Sequence, residues 1–383
     1  MYKNFEEVVA YATKLRHHLH ANPELTWHEF ETAKTIRQVL DEHGINWSEC
    51  ARTGTVATLA KQAQGEHIGL RADIDALPMQ EDTGLEYASN NPQCMHACGH
   101  DGHTATLIAA AIWLKQNEDK LPGPVTLIFQ PAEEGGHGAK AMLESGFLDG
   151  IDFIYAWHNW PAIKFGQALC PDGIVMAGNG TFHITLKGVG GHSSQPEICK
   201  DPVLAASAVT QALQQIVSRQ IAPQKTCSVS VTSIEAPSGL TTIPENARLH
   251  GSIRVSDNGM RDEVAASINQ ITKNVAKAYG VEAEVEFRKR YGATINDPTA
   301  AHKVRELLQQ QLGEEFQSEH LSPVMASEDF SYYLEKIPGA FMLVGSDNAD
   351  STPCHNVKYD FNDRLIEPVG KLLMRLANFD VKF

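Results

Sequence analysis

The stretch "HIGLRADIDALP", residues 67–78, is apolar and strand-like as far as Ala72 and then releases two carboxylates, Asp73 and Asp75. The same pattern recurs along the chain. "PVTLIFQPAEE", residues 124–134, is a second apolar strand, broken by Pro131 and followed at once by Glu133 and Glu134. "IDFIYAWHNWP", residues 151–161, reads as a third strand ending at His158. "AFMLVGS", residues 340–346, is a fourth, with Cys354 and His355 shortly after it. Helical stretches lie between them, among them "TATLIAAAIWLKQ" (residues 104–116) and "GAKAMLESG" (residues 138–146). Strands alternating with helices predict an α/β fold, with a mostly parallel or mixed sheet covered by helices on both faces. Ligands bind such sheets beyond the carboxyl ends of the strands. Asp73, Asp75, Glu133, Glu134 and His158 therefore fall on one rim. The histidine-rich "MHACGHDGHTA", residues 95–105, precedes a helix and can lie on the same rim.

Two helices open the chain. Asn4 with Glu7 forms a capping box ahead of Val8, Ala12, Leu15 and Leu19 at helical spacing, and a second helix over 31–43 stops at Gly44. From Thr181 the period changes to two. "TFHITLKG", "CSVSVTSI", "ARLHGSIRV" and "VEAEVEF" alternate apolar and polar residues, with amphipathic helices near 203–218 and 260–279 between them. The order β-α-β-β-α-β predicts a ferredoxin-like α+β domain. The expected organisation is a catalytic domain built from 1–180 and 293–383, with residues 181–292 inserted into it.

At 383 residues the chain suits two domains, and its 42% hydrophobic and 21% charged residues fit an ordinary globular protein. A formal net charge of -15 argues against a nucleic-acid partner. No stretch approaches the roughly 20 apolar residues of a membrane span. The N-terminus is charged and amphipathic rather than of signal-peptide type. Seven scattered cysteines read as thiols in a reducing cytoplasm.

Cys98 and His100 alone are a weak metal signal. A structural zinc site needs four Cys/His ligands in two short clusters, and no second cluster of that kind exists. The pair Glu133-Glu134 says more. Adjacent carboxylates at the end of an apolar strand repel each other unless a cation removes the repulsion. One could then bind metal while the other handles protons; the alternative is a solvated turn with Gly135-Gly136. His158 and His355 are lone histidines, open to a structural or a ligand reading. His96 and His103 fit outer partners or helix-start residues, and Cys354 reads equally well as a small apolar residue.

With these residues assembled, the chain resembles the metal-dependent amidohydrolases and carboxypeptidases of the peptidase M20 family. The resemblance is to the branch of hippurate hydrolases, N-acyl-amino-acid deacylases and auxin-conjugate hydrolases. Its carriers are "LRADIDALP", "HACGHDGHTA", "FQPAEEGGHGAKAM", "HNWP", "GGHSS", "ASEDFSYY" and "CHN", in order over nearly the whole chain. The resemblance implies two divalent ions (zinc, manganese, cobalt or nickel) held by Cys98, His100, Glu134, His158 and His355. It makes Glu133 the general base and Asp75 the residue that orients the site. Asp73 stands where other branches carry a metal-binding histidine, and Cys98 compensates. His192 in "GVGGHSSQP" is implied to reach a neighbouring subunit's site and stabilise the oxyanion, in a homodimer formed through the inserted domain. Arg254 is implied to contact the substrate's carboxylate. Thr241 of "TTIP" stands where the family usually has asparagine, so substrate choice is open at that point.

The expected reaction is hydrolysis of a small-molecule N-acyl amino acid, with no nucleic-acid or membrane partner. A dipeptidase or carboxypeptidase on the same scaffold is the competing enzyme reading. A catalytically silent metal-binding protein is the competing reading from outside enzymology, and the presence of every expected ligand and base argues against it.

Overall fold

The computed structural model describes residues 1–320, 322–347 and 352–379. The chain forms two compact units, 1–175 with 294–322 and 329–383, and 176–293 with 323–328.

The first unit is built on a seven-stranded mixed sheet. In spatial order its strands are Trp47–Cys50, Gly54–Leu59, Val125–Gln130, Ile68–Asp73, Phe153–Lys164, Gly339–Asp347 and Ala168–Leu169. The four apolar strands recognised in the sequence are its centre and run parallel, and the edges pair antiparallel. Ile68–Asp73 and Val125–Gln130 are buried at every position, which explains why they read as continuous apolar runs rather than alternating ones. The hairpin Trp47–Cys50/Gly54–Leu59 left no clear mark in the sequence, since its first strand is short and half exposed.

His158 does not end a strand. Phe153–Lys164 continues six residues beyond it, because Gly339–Asp347 keeps pairing on one side as far as Lys164. On the other side Ile68–Asp73 pairs only to Tyr155, so His158 lies where the two strands have parted. Helix His100–Gln116 also starts earlier than its apolar run suggests, which makes His100 its first residue.

The same unit buries a charge cluster. Arg16, fully enclosed, meets Asp101 at 3.1 Å and also pairs with Asp360, and His20 lies 2.8 Å from Asp101. Burial pulls the His20 pKa down, but the Asp101 carboxylate outweighs it and raises the value to about 9. Despite burial, Arg16 and His20 hold Asp101 far below the usual carboxylate range. Asp101→Ala removes the fully buried anion that Arg16 and His20 share, leaving Asp360 and Asp363 beside Arg16 and Glu81 beside His20, and is expected to destabilise the chain by about 3 kcal/mol, read by urea unfolding in chelator. The raised histidine gives the pH dependence its sign. Its stabilisation is complete below about 6.5 and is lost as pH rises through about 9, and Asp101→Ala should flatten that slope, with Glu81 alone left to raise the ring.

The second unit is a four-stranded antiparallel sheet in the spatial order Cys227–Glu235, Asn246–Val255, Gly178–Lys187, Glu282–Lys289. Helices Pro202–Leu213 and Asn258–Ala278 pack on it. Phe182, Ile184, Leu186, Leu249 and Ile253 point inward with Val264 and Ile268, the period-two pattern of a sheet covered on one face. Segment 323–328, which no sequence periodicity marks, belongs to this unit.

Candidate metal centre

The parallel strands of the first unit deliver their trailing residues to one edge. Cys98 and His100 arrive from the segment leading into helix His100–Gln116 and are separated by Gly99 at φ 97°. A Cβ at Gly99 would lie 2.2 Å from Asn159 Oδ1, so only glycine allows this close turn. Cys98 Sγ then sits 3.3 Å from His158 Nε2 and 3.3 Å from His355 Nε2. His355 Nε2 is 3.2 Å from Glu134 Oε1. His355 itself adopts a left-handed backbone (φ 65°), pinned by its amide bond to the Ala97 carbonyl at 2.7 Å. A β-carbon residue in that region is strained, a feature that clusters at functional sites.

Among the described residues, the sets of potential ligand atoms within 4.8 Å of one another include Cys98/His100/His158, Cys98/Glu134/His355, His100/Glu133/Glu134 and Asp73/His100/His103. The first two sets have only Cys98 in common. The histidines are aimed by their other nitrogens. His158 Nδ1 bonds to the Asn159 carbonyl at 2.7 Å and His100 Nδ1 to the Asp75 carbonyl at 2.9 Å. Since a carbonyl can only accept, each Nδ1 carries a proton, which leaves Nε2 as the nitrogen a metal could take.

Asp75 organises the acidic turn. Its carboxylate accepts the Glu133 amide at 3.1 Å, the Glu134 amide at 3.0 Å and the Thr26 hydroxyl at 2.8 Å. Asp73 is occupied otherwise. Arg71 Nη1 and His103 Nδ1 each approach it at 2.6 Å, and the chain of bonds continues from His103 through Asn159 to the Tyr359 hydroxyl. Both Asp73 oxygens are thereby engaged within the protein. His96, by contrast, is buried and makes no ring hydrogen bond among the described residues.

The electrostatics call for a cation. Burial lowers the His100 pKa, but Asp73, Asp75 and Glu134 together raise it to about 10. The Cys354 thiol, burial and the two glutamates push Cys98 well above the ordinary thiol value. Burial followed by His103 pushes His158 well below the ordinary imidazole value, so it stays neutral. Among the described residues, His100 Nε2 is buried without a hydrogen-bond partner, and buried Glu134 Oε1 is faced by His355 Nε2 at 3.2 Å. An unpartnered imidazole nitrogen and a buried carboxylate oxygen, gathered beside a thiol, are the donor set a divalent metal requires. The residues fit the ions.

The other residues singled out from the sequence belong to the second unit. His192 and Thr242 pair across a two-stranded ribbon, and the Ser193 amide bonds the Thr241 carbonyl at 2.9 Å. His192 Nδ1 accepts the Ser194 amide at 3.2 Å, which leaves Nε2 as the protonated, outward donor. Arg254 Nη1 reaches Ser327 Oγ at 2.5 Å.

Sequence reading passed over Arg71, Asn159 and Thr26. Arg71 and Asn159 hide inside motifs noticed for their neighbours, "LRADIDALP" and "HNWP", and Thr26 lies outside every quoted motif.

A thiol, imidazoles and paired carboxylates gathered at the carboxyl edge of a mixed α/β sheet define a metal-dependent hydrolase. The chain belongs to peptidase family M20/M25/M40, whose model matches residues 69–378. It is 40% identical over 334 residues to the N-acetyl-L-cysteine deacetylase of Bacillus subtilis, covering 87% of this chain and 80% of that protein. It is 38% identical over 367 residues to the hippurate hydrolase of Campylobacter jejuni, covering 95% of each. A solved dinuclear metal-binding peptidase of the M20 family from Bacillus subtilis superposes with a TM-score of 0.84 at 32% identity, over 97% of this chain and 98% of that one.

Proposed function

We propose that the chain hydrolyses the amide bond of N-acyl amino acids, releasing a carboxylic acid and a free amino acid. The observation that carries this is the pair of ligand sets joined through Cys98, with the carboxylate of Glu133 beside them. Cys98, His100 and His158 would hold one divalent ion, and Cys98, Glu134 and His355 a second, with the thiolate shared. Divalent metal supplies a lowered water pKa, toward about 7, and a polarised amide carbonyl. Glu133 takes the proton from the attacking water and returns it to the leaving amine. Asp75 keeps Glu133 and His100 in register through the bonds above. Thiolate with imidazole suits zinc, while manganese, cobalt and nickel remain within the donor set's reach.

His192, with Nε2–H outward, suits an oxyanion donor, and the Arg254 guanidinium suits a substrate carboxylate. Supplied from a neighbouring subunit, His192 would make the working form a homodimer joined through the second unit. Exposed Val203 and Leu204 on helix Pro202–Leu213 and Ile234 on the edge strand Cys227–Glu235 support that interface. A cytoplasmic location fits the seven unpaired thiols, and no helix among the described residues is long and apolar enough to cross a membrane.

The test is amino-acid release from N-acetyl, N-benzoyl and longer N-acyl amino acids, with dipeptides alongside. It uses chelator-stripped protein resupplied with single divalent metals. Turnover of acyl substrates restored by metal is the expected result. Turnover confined to dipeptides would replace the proposal with the peptidase reading. Two tightly bound ions with no turnover of either class would leave a metal-binding protein.

A further inference from the structure

Glu29 is fully buried at the amino end of helix Phe30–Glu42, where its side chain makes no bond to its own helix. Its carboxylate reaches instead across the fold. Oε1 accepts the Trp27 amide at 2.8 Å and the Ala132 amide at 3.0 Å, and Oε2 accepts the Thr53 hydroxyl at 2.7 Å. Trp27 and Ala132 are both non-glycine residues in the left-handed region, at φ 64° and 56°. That conformation costs a β-carbon residue free energy and persists only where the surroundings impose it. Here one carboxylate oxygen receives the amides of both strained residues, and Ala132 is the residue before Glu133.

The rest of the 26–29 turn grips the same loop. Trp27 Nε1 donates to the Gly136 carbonyl at 3.0 Å, and the Thr26 hydroxyl lies 3.3 Å from the Glu134 carbonyl. Gly136 is pressed so closely that a Cβ there would lie 2.5 Å from Thr26 and 2.7 Å from Trp27 Nε1. Asp75 binds the amides of Glu133 and Glu134, so the loop is held by a second anion.

We propose that Glu29 is a positioning residue for the reaction: its buried carboxylate imposes the left-handed turn at Ala132 and so fixes the loop that presents Glu133 and Glu134. The proposal rests on the reading of Glu133 as the base. Glu29 does not itself touch a candidate ligand. Its influence passes through the peptide that precedes them, where a displacement of about 1 Å can cost on the order of 10²-fold in rate.

The experiment compares Glu29→Ala, Glu29→Gln, Ala132→Gly and the double variant Glu29→Ala/Ala132→Gly. For each, kcat, KM and bound metal are measured on the metal-loaded enzyme. Glu29→Ala should lower kcat by about 100-fold with KM and metal content within about twofold of wild type. Glu29→Gln should recover most of that loss, because its amide oxygen can accept both N–H groups while its NH₂ donates to Thr53. In the Glu29→Ala background, Ala132→Gly should recover about tenfold, since glycine enters the left-handed region without the β-carbon penalty. A Glu29→Ala enzyme with wild-type kcat would overturn the proposal. So would a loss that follows metal content, or one that Ala132→Gly leaves unrepaired. If Glu29→Ala does not fold, Glu29→Asp with and without Ala132→Gly takes its place under the same criteria. Glu133→Gln measured alongside decides the base assignment separately: full activity there sinks that reading, whatever the Glu29 series shows.

Discussion

Glu133→Gln should bind two ions as the wild-type chain does and turn over N-acyl amino acids slower by on the order of 10³-fold, within the range ascribed to a positioned general base. The side chain is 6% exposed, its backbone amide is fixed by Asp75, and Oε1 lies 3.4 Å from the Asp329 amide. Glutamine keeps that shape and the acceptor oxygen but cannot take a proton at any accessible pH. An interaction made only in the transition state lowers kcat and kcat/KM together, so KM should move little. Steady-state kinetics with metal analysis on the same sample gives the answer. A variant within tenfold of wild type would remove Glu133 from the role of base and shift attention to Glu134.

Cys98→Ala is expected to have the other large effect, through metal rather than protons. Cys98 alone is common to the Cys98/His100/His158 and Cys98/Glu134/His355 sets, so its loss takes a ligand from each site at once. Loss of an outer partner of a ligand typically costs 10–100-fold in metal affinity, and loss of a shared ligand should exceed that. Bound metal should fall from two ions per chain to one or none after dialysis. Activity should fall at least as far as for Glu133→Gln, and only partly return in excess metal. Retention of two ions at wild-type affinity would show that the thiol is not shared, and would leave His100, His158, Glu134 and His355 as the binding set. The two variants separate cleanly, since one keeps metal without turnover and the other loses turnover by losing metal.

The legibility of this fold follows its burial. Ile68–Asp73 and Val125–Gln130 are enclosed on both faces, so their apolar runs were unmistakable and the acidic residues following them stood out. The strands of the second unit are covered on one face only, and their period of two was equally plain. The edge hairpin Trp47–Cys50/Gly54–Leu59 carried little such signal, and the end of Phe153–Lys164 was misplaced because pairing with Gly339–Asp347, not local sequence, sets it. Of the candidate site, residues in tight motifs were visible; Arg71, Thr26, Glu29 and Asn159 were not. Their work consists of hydrogen bonds to partners tens to hundreds of positions away, such as Arg71 to Asp329 and Glu29 to Ala132.

The sequence by itself determined the fold class, the family and the chemical kinds of group available, because hydrophobic period and short motifs are local properties of the chain. Only the tertiary structure decided that Cys98 lies between His158 and His355, that Asp73 is tied to Arg71 and His103, and that one buried carboxylate holds the turn before Glu133. Those are matters of distance and direction between residues far apart in the chain. They are fixed by the packing of whole elements, and no spacing along the sequence encodes them.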